Sequence, residues 1–193
     1  AETPDRIFLA ERASPDLPWT EVTYADARGR VRAAGAWLLA QGVGVRRPLV
    51  ILSDNSIDHA RFALAAQHVG VPVAAVSPAY SLIARDFDKL RGMIALLDPG
   101  AIYVAGVAPF KAALDAIAPH HGAVVVSGDG SEGTVAFAEV VATAETPAVA
   151  EAFAAVTPDT IAKFLFTSGS TGAPKAVINT QRMMTSSQAA KAQ

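Results

Sequence analysis

Apolar residues recur along this chain in short blocks separated by turn-forming residues. Leu49-Val50-Ile51-Leu52 is a continuous apolar run, as a strand buried on both faces requires. Gly70 to Val76, Ile102-Tyr103-Val104 and Ala123 to Val126 repeat the pattern. Between these blocks the apolar positions return at helical spacing, predicting helices to about Val69, from about Ile83 to Leu97, and from Pro109 to Ala118. Asp98-Pro99-Gly100 reads as a turn. Upstream, Ile7 to Glu11 and Trp19 to Thr23 predict a hairpin about the turn Ser14-Pro15-Asp16. Thr23 is placed to cap a helix carrying Tyr24, Ala27, Val31, Ala34 and Leu38, which Gly42 and Gly44 end. The recurring strand–helix rhythm predicts an α/β fold. Its mostly parallel sheet, with helices on both faces, covers about residues 45–180, and the N-terminal hairpin lies at its edge.

Residues 1–44 are thus expected to form the hairpin and first helix, 45–142 the repeated strand–helix units, and 143–159 an Ala-rich connector with a short helix near 149–155. Residues 160–180 read as strand, loop and strand, and a helix begins near Gln181 and runs on through 181–193. The loop Thr167-Ser168-Gly169-Ser170-Thr171-Gly172-Ala173-Pro174-Lys175 is rich in hydroxyls and glycine and carries one lysine. Gly169 and Gly172 permit positive φ, so successive N–H groups can converge on an anion. Thr167, Ser168, Ser170 and Thr171 add neutral donors, and Lys175 supplies a point charge to a phosphate oxygen. In parallel sheets ligands gather at the carboxyl ends of strands, where this loop begins. The spacing is not that of a Walker loop: Ala176 stands where a magnesium-binding Ser or Thr is needed, and a strand follows instead of a helix. The plain alternative is a Ser/Gly/Pro hairpin turn.

Phe166 to Lys175 resembles the signature Phe-Thr-Ser-Gly-Ser-Thr-Gly-x-Pro-Lys of the adenylate-forming enzymes: acyl-CoA synthetases, luciferases and peptide-synthetase adenylation domains. Ala176 departs from the glycine most members carry, and Gln181 stands where many have histidine. The run Thr160 to Met183, with Ser77-Pro78-Ala79-Tyr80-Ser81, is most similar to the feruloyl-CoA synthetase branch. The resemblance implies a cytoplasmic acid–thiol ligase using ATP, Mg2+ and CoA on a small-molecule carboxylic acid. An aromatic carboxylate of the hydroxycinnamate kind is converted to acyl-AMP and passed to CoA. It also implies that Thr167, Ser168, Gly169, Ser170, Thr171, Gly172 and Lys175 hold the nucleotide's phosphates. The catalytic residues are expected beyond Gln193, the chain reads as an N-terminal piece inactive alone, and self-association through uncovered surface is expected. Amino-acid or fatty-acid adenylating enzymes, or a non-catalytic α/β binding module with a relic loop, are the alternatives.

Composition narrows this further. The net charge of −2 gives no sign of a nucleic-acid or anionic-membrane partner. Residues 157–193 nevertheless carry +3, leaving −5 on the remainder, which suits a polyphosphate near the loop. There is no cysteine, so disulfides and thiolate metal sites are excluded. The longest uncharged run, Val69 to Ala84, is broken by Pro72 and Pro78 and is too short for a membrane span. No signal peptide is visible at the start. Ser127-Gly128-Asp129-Gly130-Ser131-Glu132-Gly133 contains Gly-x-Gly-x-x-Gly, but its two carboxylates would repel a pyrophosphate, so it reads as a solvated acidic loop. His59 and His68 fall on opposite sides of one helix, and His120 and His121 follow a helix end, so no metal ligands are assigned.

Overall fold

The structure is a computed structural model describing residues 3–167 and 175–191. Two antiparallel strands, β1 (Ile7–Glu11) and β2 (Thr20–Thr23), lead into α1 (Tyr24–Ala40). Then come β3 (Leu49–Ile51), α2 (Ile57–His68), β4 (Val73–Ala75), α3 (Asp88–Leu97), β5 (Ala101–Val104) and α4 (Val107–Ile117). The chain continues through β6 (Val124–Ser127), β7 (Val135–Ala136), α5 (Phe137–Val140), α6 (Pro147–Ala154), β8 (Ile161–Thr167), β9 (Lys175–Thr180) and α7 (Gln181–Lys191). Seven strands form one sheet in the order β7-β6-β5-β3-β4-β8-β9. All its pairings are parallel except β8 with β9. The expected mostly parallel α/β sheet with helices on both faces is therefore present.

The central strand shows why. Leu49, Val50, Ile51 and Leu52 are all fully buried. Successive side chains point to opposite faces, and Leu49 and Ile51 enter one core while Val50 and Leu52 enter the other. The first core is covered by α1, α2, α5 and α6 through Trp37, Leu38, Phe62, Phe137 and Val149. Phe62 stands at its centre, with ring centroids 6.1 Å from Trp37, 5.9 Å from Tyr103 and 5.3 Å from Phe137. The second core is covered by α3 and α4 through Leu90, Met93, Ile94, Phe110 and Ile117.

Helix starts follow local chemistry. Thr23 Oγ1 accepts from the Asp26 N–H at 3.2 Å, as its N-cap position predicts. Ser56 Oγ accepts from the His59 N–H at 3.0 Å, and Glu11 Oε2 accepts from the Ile57 N–H at 2.7 Å. A carboxylate from β1 thus sits at the positive end of α2. Gly42, at φ 67°, ends α1.

Three expectations need correction, and one segment adds elements that the pattern did not predict. The N-terminal hairpin does not join the edge of the large sheet: it is a separate two-stranded sheet, packed through Phe8, Leu9 and Val22 onto Ala27 of α1 and Ile57 of α2. The helix expected from Ile83 begins at Asp88. A single π-helical turn, Ala79–Ile83, precedes it, and Ala84 is extended (ψ 137°), so the two helical pieces cannot merge. The strand expected over Gly70 to Val76 pairs only at Val73–Ala75. The short β7 and α5 after the acidic loop were not expected; Phe137 and Val140 of α5 are buried and tie this segment to the first core.

Candidate functional site

β8 runs parallel to β4, so its carboxyl end lies at the same edge of the sheet as those of β3, β4, β5 and β6. β9 returns antiparallel, with Thr167 directly opposite Lys175, Phe166 opposite Ala176, Leu165 opposite Val177 and Phe164 opposite Ile178. Directly paired residues share a face. Thr167 and Lys175 are therefore neighbours on one face, at the mouth of the loop, and both are exposed. Among the described residues no carboxylate pairs with the Lys175 ammonium. Ser168, Gly169, Ser170, Thr171 and Gly172 of the expected phosphate grip lie outside the described residues.

The hairpin is held from two sides. On one face Phe164 and Phe166 pack against the second core. At the far end Arg182 Nη2 donates to Asp159 Oδ1 at 3.0 Å, the Arg182 N–H to the Pro158 carbonyl at 2.8 Å, and the Gln181 N–H to the Thr160 carbonyl at 2.9 Å. Thr160 Oγ1 also accepts from the Thr157 N–H at 2.8 Å. These bonds fix the root of both strands, so the mouth at Thr167 and Lys175 is presented by an anchored ribbon.

Elsewhere on this edge, the crevice where strand order reverses, between β3 and β5, is the usual ligand position in such sheets. Here the buried Ser53 hydroxyl spans it, accepting from the Ala105 N–H. Asp129, in the loop after β6, accepts from the Val107 N–H, the first of α4, at 3.2 Å and from the Ser131 N–H at 3.1 Å. Hydrogen bonds, first of all from the Ser131 side chain, hold the Asp129 carboxyl below the usual carboxylate range. The protein thus supplies its own anion at the α4 N-terminus. Gly128 is dictated by close approach: a Cβ there would lie 2.6 Å from the Ala105 carbonyl oxygen. The roles of Ser53 and Asp129 escape sequence reading because each bonds to a residue far along the chain; a serine closing a buried apolar strand is the only local signal.

The histidines have separate surroundings. His59 Nδ1 lies 3.1 Å from the Asp54 carbonyl oxygen, whereas His68 stacks on Phe153 with ring centroids 4.5 Å apart. His121 Nδ1 accepts from the Ala123 N–H at 3.0 Å. Among the described residues no group of three His, Asp or Glu side chains is arranged to hold a metal ion, and no helix is long and apolar enough to cross a membrane.

Comparison with known proteins places these features in context. The family model described as AMP-binding enzyme matches residues 1–193. A 4-coumarate–CoA ligase 3 of Oryza sativa subsp. japonica is 31% identical over 168 residues, covering 86% of this chain and 28% of that protein. The fatty acyl-adenylate ligase from L. pneumophila, solved with acyl adenylate and pyrophosphate, superposes with a TM-score of 0.70 at 15% identity, over 96% of this chain and 29% of that one. ATP-bound MatB from Rhodopseudomonas palustris gives 0.67 at 20% identity, over 88% and 32%. The chain spans less than a third of the length of each of these three. With its whole length matched by the family model, the chain belongs to the AMP-binding, adenylate-forming enzyme family.

Proposed function

We propose that this chain is the phosphate-gripping part of an ATP-dependent acid–CoA ligase. The observation that carries the reading is the pairing of Thr167 with Lys175 at the carboxyl edge of the sheet, on either side of a loop of hydroxyls and glycines. In this reading Lys175 places its ammonium against an oxygen of the β- or γ-phosphate. The Thr167 hydroxyl donates beside it, and the backbone N–H groups about Gly169 and Gly172, with Ser168, Ser170 and Thr171, enclose the remaining oxygens. Such donors act electrostatically: they stabilise charge that builds as pyrophosphate leaves and an acyl-adenylate forms.

An exposed cation with no carboxylate partner among the described residues fits a polyphosphate. The described residues offer no carboxylate cluster for Mg2+; the ion, when bound, would screen phosphate charge. CoA is likewise assigned to the whole enzyme and not to residues of this chain. The similarity to a 4-coumarate–CoA ligase, with the wording of Thr160 to Met183, supports an aromatic hydroxycinnamate as the acid.

The test is competition. The protein that carries this chain, given ATP, CoA and equal amounts of ferulate, an amino acid and a long-chain fatty acid, should yield feruloyl-CoA as the main product. Preferential adenylation of the amino acid or the fatty acid would refute the assignment. Absence of any ATP binding would instead favour the binding module with a relic loop.

A further inference from the structure

A second site lies at the other end of the hairpin, between α1, α2 and α6. A groove of about 370 Å³ opens there, in the size range of small-molecule pockets. Its floor is apolar, built from Ala27, Val31 and Leu64. Two aromatic pairs line it. Phe8 and Tyr24 meet with ring centroids 4.6 Å apart, and His68 and Phe153 stack at 4.5 Å. Tyr24 is 41% exposed and Phe153 55%, so ring surface is left facing water on both pairs.

The charged side chain on the lining is basic. Among the described residues no acidic side chain lines the groove, and Glu145, which acts on His68 from nearby, is paired with Arg32. Arg28 does line it, and among the described residues it has no salt-bridge partner. The amides of Gln67 and Gln181 are the other polar groups on the lining besides Arg28, His68 and the Tyr24 hydroxyl. A guanidinium beside an apolar, ring-lined slot suits a flat body ending in a carboxylate, which the Arg fork can take in a bidentate bond.

The geometry points to this groove as a binding site for a small aromatic carboxylate, held by Arg28 with its ring against Tyr24 and Phe153. It is separate from the phosphate grip. Gln181 follows Thr180, which pairs with Ile161 at the start of β8, while Lys175 pairs with Thr167 at its end. At ~3.4 Å per residue the two lie roughly 20 Å apart along the ribbon. Occupancy there would act as a second input beside the nucleotide.

His68 is a built-in reporter. Burial, then the nearby Arg32 and Arg28, hold its imidazole below the ordinary 6.5, with Glu145 opposing. A carboxylate bound to Arg28 offsets one of those cations and should raise the His68 pKa. The probe is benzoate, titrated into the 193-residue chain at pH 7 and followed by the His68 ring proton in NMR. Benzamide serves as its neutral counterpart and acetate as the ring-free anion. Expected are saturable shifts with benzoate, binding at least fivefold weaker for benzamide and acetate, and a raised His68 pKa in the complex. Arg28→Gln, at an exposed position, should weaken benzoate at least fivefold, Arg28→Lys should retain part of the affinity, and Lys175→Ala should leave it unchanged. Equal affinity for benzamide, an unaltered affinity in Arg28→Gln, or no saturable shift of His68 by benzoate would overturn the proposal. Loss of benzoate binding in Lys175→Ala would move the ligand to the nucleotide end of the hairpin and overturn it equally.

Discussion

His68 and His121 give the fold its response to mild acid. Burial holds both imidazoles below the ordinary 6.5, aided by Arg32 and Arg28 at His68 and by His120 at His121. Below 6.5 the unfolded chain binds protons that the folded chain resists, so stability is full above that value and falls as pH drops toward the folded values. Asp58 acts in the opposite sense in a lower window: burial raises its carboxyl above 3.8, so its contribution is present below 3.8 and is lost as pH rises through the folded value. Urea midpoints should therefore fall between pH 7.5 and 5.5, and a His68→Gln, His121→Gln double variant should flatten that slope; an unchanged slope would assign the acid response to other groups. Sequence reading separated His59 from His68 correctly from helical phase alone. It could not foresee the stacking of His68 on Phe153, which depends on where α6 packs.

Glycines test the account of the elements. Gly128 stands where the ends of β5 and β6 come together, and its nearest atom is a backbone oxygen that cannot swing aside. Gly128→Ala should cost about 1–3 kcal/mol, as overpacking typically does. Gly29 lies exposed within α1 with open space around its Cβ position, so Gly29→Ala should stabilise by up to ~1 kcal/mol through helix propensity. Chemical denaturation of the two variants should move in opposite directions; a shared direction would contradict the packing described. Element type was legible wherever apolar runs or helical spacing were long, as in Leu49 to Leu52 and Tyr24 to Leu38. It failed over Ile83 to Phe87, where apolar residues keep helical spacing but the Ala79 carbonyl accepts from the Ala84 N–H to close a π-helical turn, and Ala84 is then extended. The two-residue β7 carries too little pattern to be seen.

For the whole molecule, the alternation of buried runs and amphipathic helices announced a parallel sheet, whereas strand order and the seat of the N-terminal hairpin depend on pairing between distant segments. The signature at Phe166 to Lys175 made the candidate site legible as chemistry before any geometry. What geometry adds is the pairing of Thr167 with Lys175 and the anchoring of the ribbon at Asp159 and Arg182. β9 is one of the two outer strands of the sheet among the described residues, and Val177 and Ile178 on it are 46% and 50% exposed. Exposed apolar edge strands invite pairing between chains. The 193-residue chain should therefore sediment as a concentration-dependent mixture, and Ile178→Lys should shift it toward monomer; a monomer at all concentrations would count against an open edge.

The central claim is that the loop from Thr167 to Lys175 grips the phosphates of ATP, and Lys175→Ala tests it most directly. The measurement is ATP–pyrophosphate exchange, supported by the preferred acid, in the protein that carries this chain, with its thermal midpoint recorded alongside. Loss of a charged phosphate contact should reduce exchange at least tenfold, about 1.4 kcal/mol or more of transition-state stabilisation. The thermal midpoint should hardly move, because an exposed lysine contributes within about 0.5 kcal/mol to folding. Exchange at the unaltered rate in a folded Lys175→Ala protein would contradict the account.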